Sequence, residues 1–116
     1  GRPMDLNNLA NTLPASMGGN KTPIIDELLL HNPDADDWIV SYHNALWTGK
    51  ATDPAVTVPS YLRRLTLKEA AAIQTFPSDY IFCGEKSSIY RQIGNAVPCK
   101  LAQAVAETVV ELNKRY

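Results

Sequence analysis

Cysteine is scarce: the chain holds two, Cys83 and Cys99, in no CxxC pair, and its two histidines, His31 and His43, stand far from both. That spacing argues against a metal site of the zinc kind, and no metal is expected. Long apolar runs are missing too. None approaches the ~18 residues of a membrane span, and no signal peptide can be read, so no membrane partner and a reducing cytoplasm are expected. A surplus of basic charge is also lacking, with a formal net charge of -1 and a pI near 6.1. If nucleic acid is a partner, only part of the surface can meet it.

What remains is a chain of 116 residues, 45% of them apolar, enough for one small domain with a modest core. It begins at Gly1 rather than methionine and reads as a piece of something longer. Charge is unevenly spread. Residues 22–49 carry Asp26, Glu27, Asp34, Asp36 and Asp37 with no lysine or arginine. Residues 61–100 reverse the balance, with Arg63, Arg64, Lys68, Lys86, Arg91 and Lys100 against Glu69, Asp79 and Glu85. Such a bias is also what an ordinary solvated surface carries.

Along the chain, PASMGGNKTP at 14–23 is the strongest loop signal, entered by a short extended piece at 11–13. DADDWIVSYHNALWTG at 34–49 predicts a helix, with Asp34 as cap, Asp36 and Asp37 at the positive end of the dipole, and Gly49 to close it. Trp38, Tyr42 and Leu46 recur every four residues, share one face and read as core. An extended linker follows at 51–60, bracketed by Pro54 and Pro59. LTLKEAAAIQTF at 65–76 predicts a helix opened by a Thr66–Glu69 capping box and stopped by Pro77.

SDYIFCG at 78–84 reads as a turn and a short extended piece, with Cys83 a small buried hydrophobe. A helix is expected from Ser87 or Ser88 to about Ile93. After a break, Val97, Leu101, Val105, Val109 and Leu112 mark a long amphipathic helix with Pro98 in its first turn. Fully buried, that stripe represents on the order of 10 kcal/mol, so something must cover it.

Two positions near the break invite chemistry. Cys99 follows a proline beside Lys100, yet a nucleophilic thiolate needs a base or cation arranged around it, and no histidine is near in sequence. Gly94 and Asn95 tolerate positive φ, so a sharp turn there leaves backbone groups outside the helical ladder, where a carboxylate or phosphate can be held. A plain helix–helix corner is the competing reading.

The run RRLTLKEAAAIQTFP at 63–77 resembles the penultimate sequence block of DNA (cytosine-5) methyltransferases, R-x-L-T-x-R-E-A-A-R-L-Q-x-F-P. QIGNAVPCKLA at 92–102 is similar to their last block, Q-x-G-N-A-V-P-P-x-L-A, and Asp79, Tyr80, Phe82 and Gly84 look like the usual spacer. LANTLPASMGGNKTPIID at 9–26 resembles the end of the target-recognition region, where a Thr-Leu pair, here Thr12 and Leu13, precedes a glycine-containing loop. Lys68 and Ala72 stand where arginines are usual, and Cys99 replaces the second proline. Lysine keeps the charge and loses the bidentate fork.

The resemblance implies an α+β, helix-rich chain. It would be the C-terminal portion of a Rossmann-like S-adenosylmethionine-dependent methyltransferase with part of its target-recognition domain. Residues 1–60 would end that recognition region, with a helix near 35–48. Residues 61–84 would form a bracing helix and spacer, and 85–116 would return to the catalytic domain and close the cofactor pocket. Asn95, Ala96 and Val97 would face S-adenosylmethionine. Thr12, Leu13, Gly18, Gly19, Asn20, Arg63 and Arg64 would face double-stranded DNA holding a flipped cytosine. No catalytic residue is expected, because the family's glycine-rich cofactor loop, Pro-Cys nucleophile, Glu-Asn-Val block and Gln-x-Arg-x-Arg strand are all absent from the sequence. The partner would be a catalytic domain or subunit supplying them, in a bacterial cytoplasm at the nucleoid. The alternative is a non-catalytic DNA-binding or specificity subunit.

Overall fold

Three residues of Ile24–Asp26 (β1) pair antiparallel with Leu62–Arg64 (β2), in the register Ile24 to Arg64, Ile25 to Arg63 and Asp26 to Leu62. This is a computed structural model, and it describes residues 2–51 and 57–116. Much of the linker expected at 51–60, Pro54 included, therefore lies outside the described residues. The chain divides into two compact units, one of Gly1–Asn11 with Pro23–Arg64, the other of Thr12–Thr22 with Leu65–Tyr116.

In the first unit, Pro3 adds a parallel bridge to Ile24, with Ile24 N–H donating to the Arg2 carbonyl and Met4 N–H to the Ile24 carbonyl, both at 2.9 Å. Asp26 ends β1 and caps Glu27–His31 (α1), its Oδ1 accepting from the N–H groups of Leu28 and Leu29. The next helix, Trp38–Trp47 (α2), starts three residues later than the sequence predicts, and its cap is Asp37, not Asp34. The reason is local: Ala35 N–H turns back to the Asn32 carbonyl, so 32–35 is a turn. At its other end Gly49 takes φ 70°, Gly49 N–H bonds the Leu46 carbonyl and Lys50 N–H the Ala45 carbonyl, which closes the helix as a Schellman motif.

The residue that α2 buries is Ile39. Trp38 and Tyr42, expected in the core, are half-buried and stack on each other with ring centroids 5.0 Å apart and 7° between planes, while Leu46 is exposed. Among the described residues the sheet has two strands of three residues each, too little apolar surface to cover a four-residue-spaced aromatic stripe.

In the second unit, Thr66 and Glu69 form the expected capping box at the start of Leu67–Ile73 (α3). That helix stops at Ile73, ahead of Pro77. Its terminator is Thr75, at φ 57°, with Thr75 N–H on the Ala72 carbonyl and Phe76 N–H on the Ala71 carbonyl. This is again a Schellman end, here with a β-branched residue where glycine is usual. Lys86–Asn95 (α4) packs on α3 through the buried Ala70, Tyr90 and Ile93, and Tyr90 Oη donates to the Leu65 carbonyl at 2.6 Å.

The segment 76–84 turns Phe76, Tyr80 and Phe82 onto one another, with centroids 4.7 to 5.0 Å apart. Alternation then sends Ile81 and Cys83 outward, so Cys83 is exposed rather than a buried hydrophobe. The last helix, Cys99–Asn113 (α5), has no buried residue. Leu101, Val105 and Val109 are 55%, 57% and 51% exposed.

Candidate functional site

The break between α4 and α5 comes later than the sequence suggests. Gly94 and Asn95 are the last two residues of α4, neither has positive φ, and the connection is Ala96, Val97 and Pro98. Gly94 is required for a different reason, close approach. A Cβ there would lie 2.8 Å from the Ala15 Cα and closer still to the Pro14 carbonyl oxygen. The loop 12–22 rests on the helix where that side chain is missing.

This corner is also less open than a bare helix start. Cys99 N–H donates to the Gln74 carbonyl at 3.1 Å, and Lys100 N–H to Thr75 Oγ1 at 2.9 Å, so two of the first donors of α5 are taken by the end of α3. On the α4 side, Gln74 Nε2 donates to the carbonyls of Ile93 (3.0 Å) and Ala96 (2.9 Å). Ala96 N–H turns back to the Ile93 carbonyl. Asn95 and Val97 are exposed, while Ala96 is partly covered and has both backbone groups bonded within the corner. Gln74 was not singled out from sequence. The available signal was a pair of polar side chains, Gln74 and Thr75, between Ile73 and Phe76 at the end of an apolar helical run.

The glycine loop is tight. Thr22, buried, accepts from Gly18 N–H and donates to the Gly19 carbonyl, while Leu13 and Met17 anchor the loop as core side chains. Leu13 is 5% exposed, so its side chain cannot reach a ligand, whereas Thr12, Gly18, Gly19 and Asn20 are exposed. Gly18 has φ 107°, and a Cβ on it would press on Ser87 and Tyr90. Nothing lies within 4 Å of the same position on Gly19.

Arg63 and Arg64 lie on β2, within the first unit. Arg63 Nε pairs with Glu27 Oε1 at 2.5 Å, and both side chains are partly exposed. Both arginines line a cleft of about 440 Å³ with Trp38, Tyr42, His43 and Val58. Their juxtaposition with the stacked rings was not legible, because α2 and β2 are remote in sequence. Cys99 has no histidine beside it in its own unit, both histidines belonging to the other. Among the described residues no cluster of three His, Cys, Asp or Glu could hold a metal ion, and no helix is long and apolar enough to cross a membrane.

Comparison with known proteins decides the family. The model of the C-5 cytosine-specific DNA methylase family matches residues 14–111. The chain belongs to this family. Among curated DNA methylase relatives, the type II methyltransferase M1.HphI of Haemophilus parahaemolyticus is 36% identical over 105 residues, covering 83% of this chain and 26% of the relative. M.Eco47II of Escherichia coli is 51% identical over 61 residues, covering 49% of this chain and 15% of the relative. M.PspPI of a Psychrobacter species is 50% identical over 54 residues, covering 47% and 13%. The chain thus spans about a quarter of the length of the first of these methylases and less of the others. No solved structure matches it.

Proposed function

We propose that this chain works as the C-terminal part of a DNA (cytosine-5) methyltransferase of a restriction-modification system. In that reading a methyl group passes from S-adenosylmethionine to C5 of cytosine in a specific DNA sequence. Polypeptide carrying the nucleophile and the Rossmann-like sheet completes the enzyme. The chain alone transfers nothing, because methylating a ring carbon needs an activated nucleophile and a bound donor.

The observation that carries this reading is the uncovered face of α5. A 15-residue helix without tertiary support is marginal in water, yet this one carries Leu101, Val105, Val109 and Leu112 exposed on one stripe. The catalytic domain is the occupant that fits, since roughly three quarters of the length of M1.HphI has no counterpart in the chain. The corner before α5 fits one edge of the cofactor: the exposed Asn95 amide and the Val97 backbone are suited to the charged methionine end, with Ala96 small enough to let it approach. S-adenosylmethionine, held there, supplies a sulfonium methyl as the electrophile.

Residues 61–84 then brace the recognition region 1–60, and 85–116 return to the catalytic domain. Thr12, Gly18, Gly19 and Asn20 face the DNA groove by the flipped cytosine, with Leu13 holding their loop from beneath. Arg63, which pairs with Glu27 in this structure, and Arg64 contact phosphates, which position the duplex without reading it.

Copurification with the polypeptide that supplies the catalytic blocks tests the assignment. A one-to-one complex is expected, and Leu101→Asp with Val105→Asp should abolish it while leaving the melting of the chain unchanged. A complex indifferent to those charges would overturn the role of α5. A stand-alone DNA-binding subunit would instead keep salt-sensitive DNA affinity by itself.

A further inference from the structure

We propose that Gln74 and Thr75 are positioning residues for the cofactor, acting through the Asn95–Val97 corner. This rests on the reading of that corner as one wall of the S-adenosylmethionine site.

The connection between α4 and α5 is three residues long and has little packing of its own, Val97 being 60% exposed. Its shape is fixed from the end of α3. Both hydrogens of the Gln74 amide are used, one on the Ile93 carbonyl and one on the Ala96 carbonyl, so the exit of α4 is pinned on one side. The Gln74 carbonyl and Thr75 Oγ1 accept from Cys99 and Lys100, so the entry of α5 is pinned on the other. Two adjacent residues therefore grip both ends of the corner.

Thr75 adopts its grip against its own preference. At φ 57° a β-branched residue is strained, and a glycine would close α3 with no such penalty. Glycine carries no hydroxyl, however, and could not accept from Lys100. The strained threonine is explained by the acceptor it aims at α5. Gln74 is buried, and its side-chain donors meet main-chain carbonyls rather than solvent, as a preformed brace requires. Preorganisation of this kind shows in affinity: if the corner is in its binding shape only part of the time, apparent affinity falls by that fraction.

The experiment uses Thr75→Val, which keeps volume and branching and removes the acceptor, with Thr75→Ser as the variant that restores it. Two readouts are taken. Amide hydrogen exchange on the chain itself should show the Lys100 amide exchanging up to about tenfold faster in Thr75→Val. Steady-state kinetics of the enzyme assembled with its catalytic polypeptide should show KM for S-adenosylmethionine raised about tenfold. Its kcat should change less than about twofold, the pattern of lost uniform binding. Thr75→Ser should recover both readouts. Gln74→Met should act in the same direction, and if it fails to assemble the Thr75 pair still decides.

Asn95→Ala separates the two layers. If Asn95→Ala raises KM for the cofactor and Thr75→Val does not, the brace has no bearing on cofactor binding and the proposal is wrong. If neither moves KM, the corner is not a cofactor wall, and the proposal falls with the reading beneath it. Unchanged Lys100 exchange in Thr75→Val would refute the grip itself.

Discussion

Gly94→Ala sets two physical effects against each other with opposite signs. Gly94 is helical, and exchanging glycine for alanine within a helix ordinarily gains up to about 1 kcal/mol. The structure reverses the expectation. The new Cβ would sit 2.8 Å from both the Ala15 Cα and the Pro14 carbonyl carbon, closer than real Cβ contacts come. These are backbone atoms, held by the buried Leu13 and Met17 on either side and by Met17 N–H on the Pro14 carbonyl, so they cannot swing away as a side-chain tip would. Overpacking of this kind costs roughly 1–3 kcal/mol. It exceeds a propensity gain that is already reduced at the penultimate residue of α4, leaving a net loss of about 1–2 kcal/mol. Thermal melting of the chain should show a drop of roughly 4–8 °C per kcal/mol. Gly19→Ala, with nothing within 4 Å, is the control and should leave the midpoint nearly unchanged. A higher melting temperature for Gly94→Ala would mean that the loop 12–22 does not rest on α4, and the packing described for this unit would be wrong.

Tyr90→Phe should cost about 1–2 kcal/mol in urea unfolding, because it strands the Leu65 carbonyl that the phenol serves at 2.6 Å; a neutral result would mean that carbonyl reaches another donor. Thr66→Ala should lose about 1 kcal/mol by breaking the capping box, with Thr66→Ser largely retaining it. The Asp5 carboxyl accepts from the Asn8 side chain and the Asn7 backbone, in that order of effect, which lowers its pKa below the ordinary 3.8. A lowered folded pKa gives a contribution present above 3.8 and lost as pH falls through the lowered value, so NMR titration should show Asp5 titrating low and Asn8→Ala moving it back up.

Local signals were legible and long-range ones were not. The Thr66–Glu69 box, the closing Gly49 and the apolar stripe of α5 depend on residues a few positions apart, and each is where the sequence indicates it. The pairing of β1 with β2 joins residues almost forty apart, in strands too short to carry a period of two, and it went unseen. Gly94 was read for conformational freedom when its use is close approach, which needs knowledge of what lies opposite. The corner residues Asn95–Val97 could be named from the block they belong to. The grip on them by Gln74 and Thr75 could not, because a side-chain amide and a hydroxyl meet main-chain groups 19 to 25 residues further along, and no local spacing marks such partners.

The central claim is that this chain supplies part of a methyl-transfer cleft and lacks its reactive half. The most direct measurement follows labelled methyl from S-adenosylmethionine into C5 of cytosine in DNA. It is made with the chain alone, with the catalytic polypeptide alone, and with the two combined. The account predicts incorporation only on combination. Turnover by the isolated chain, or full activity of the catalytic polypeptide without it, would contradict the account.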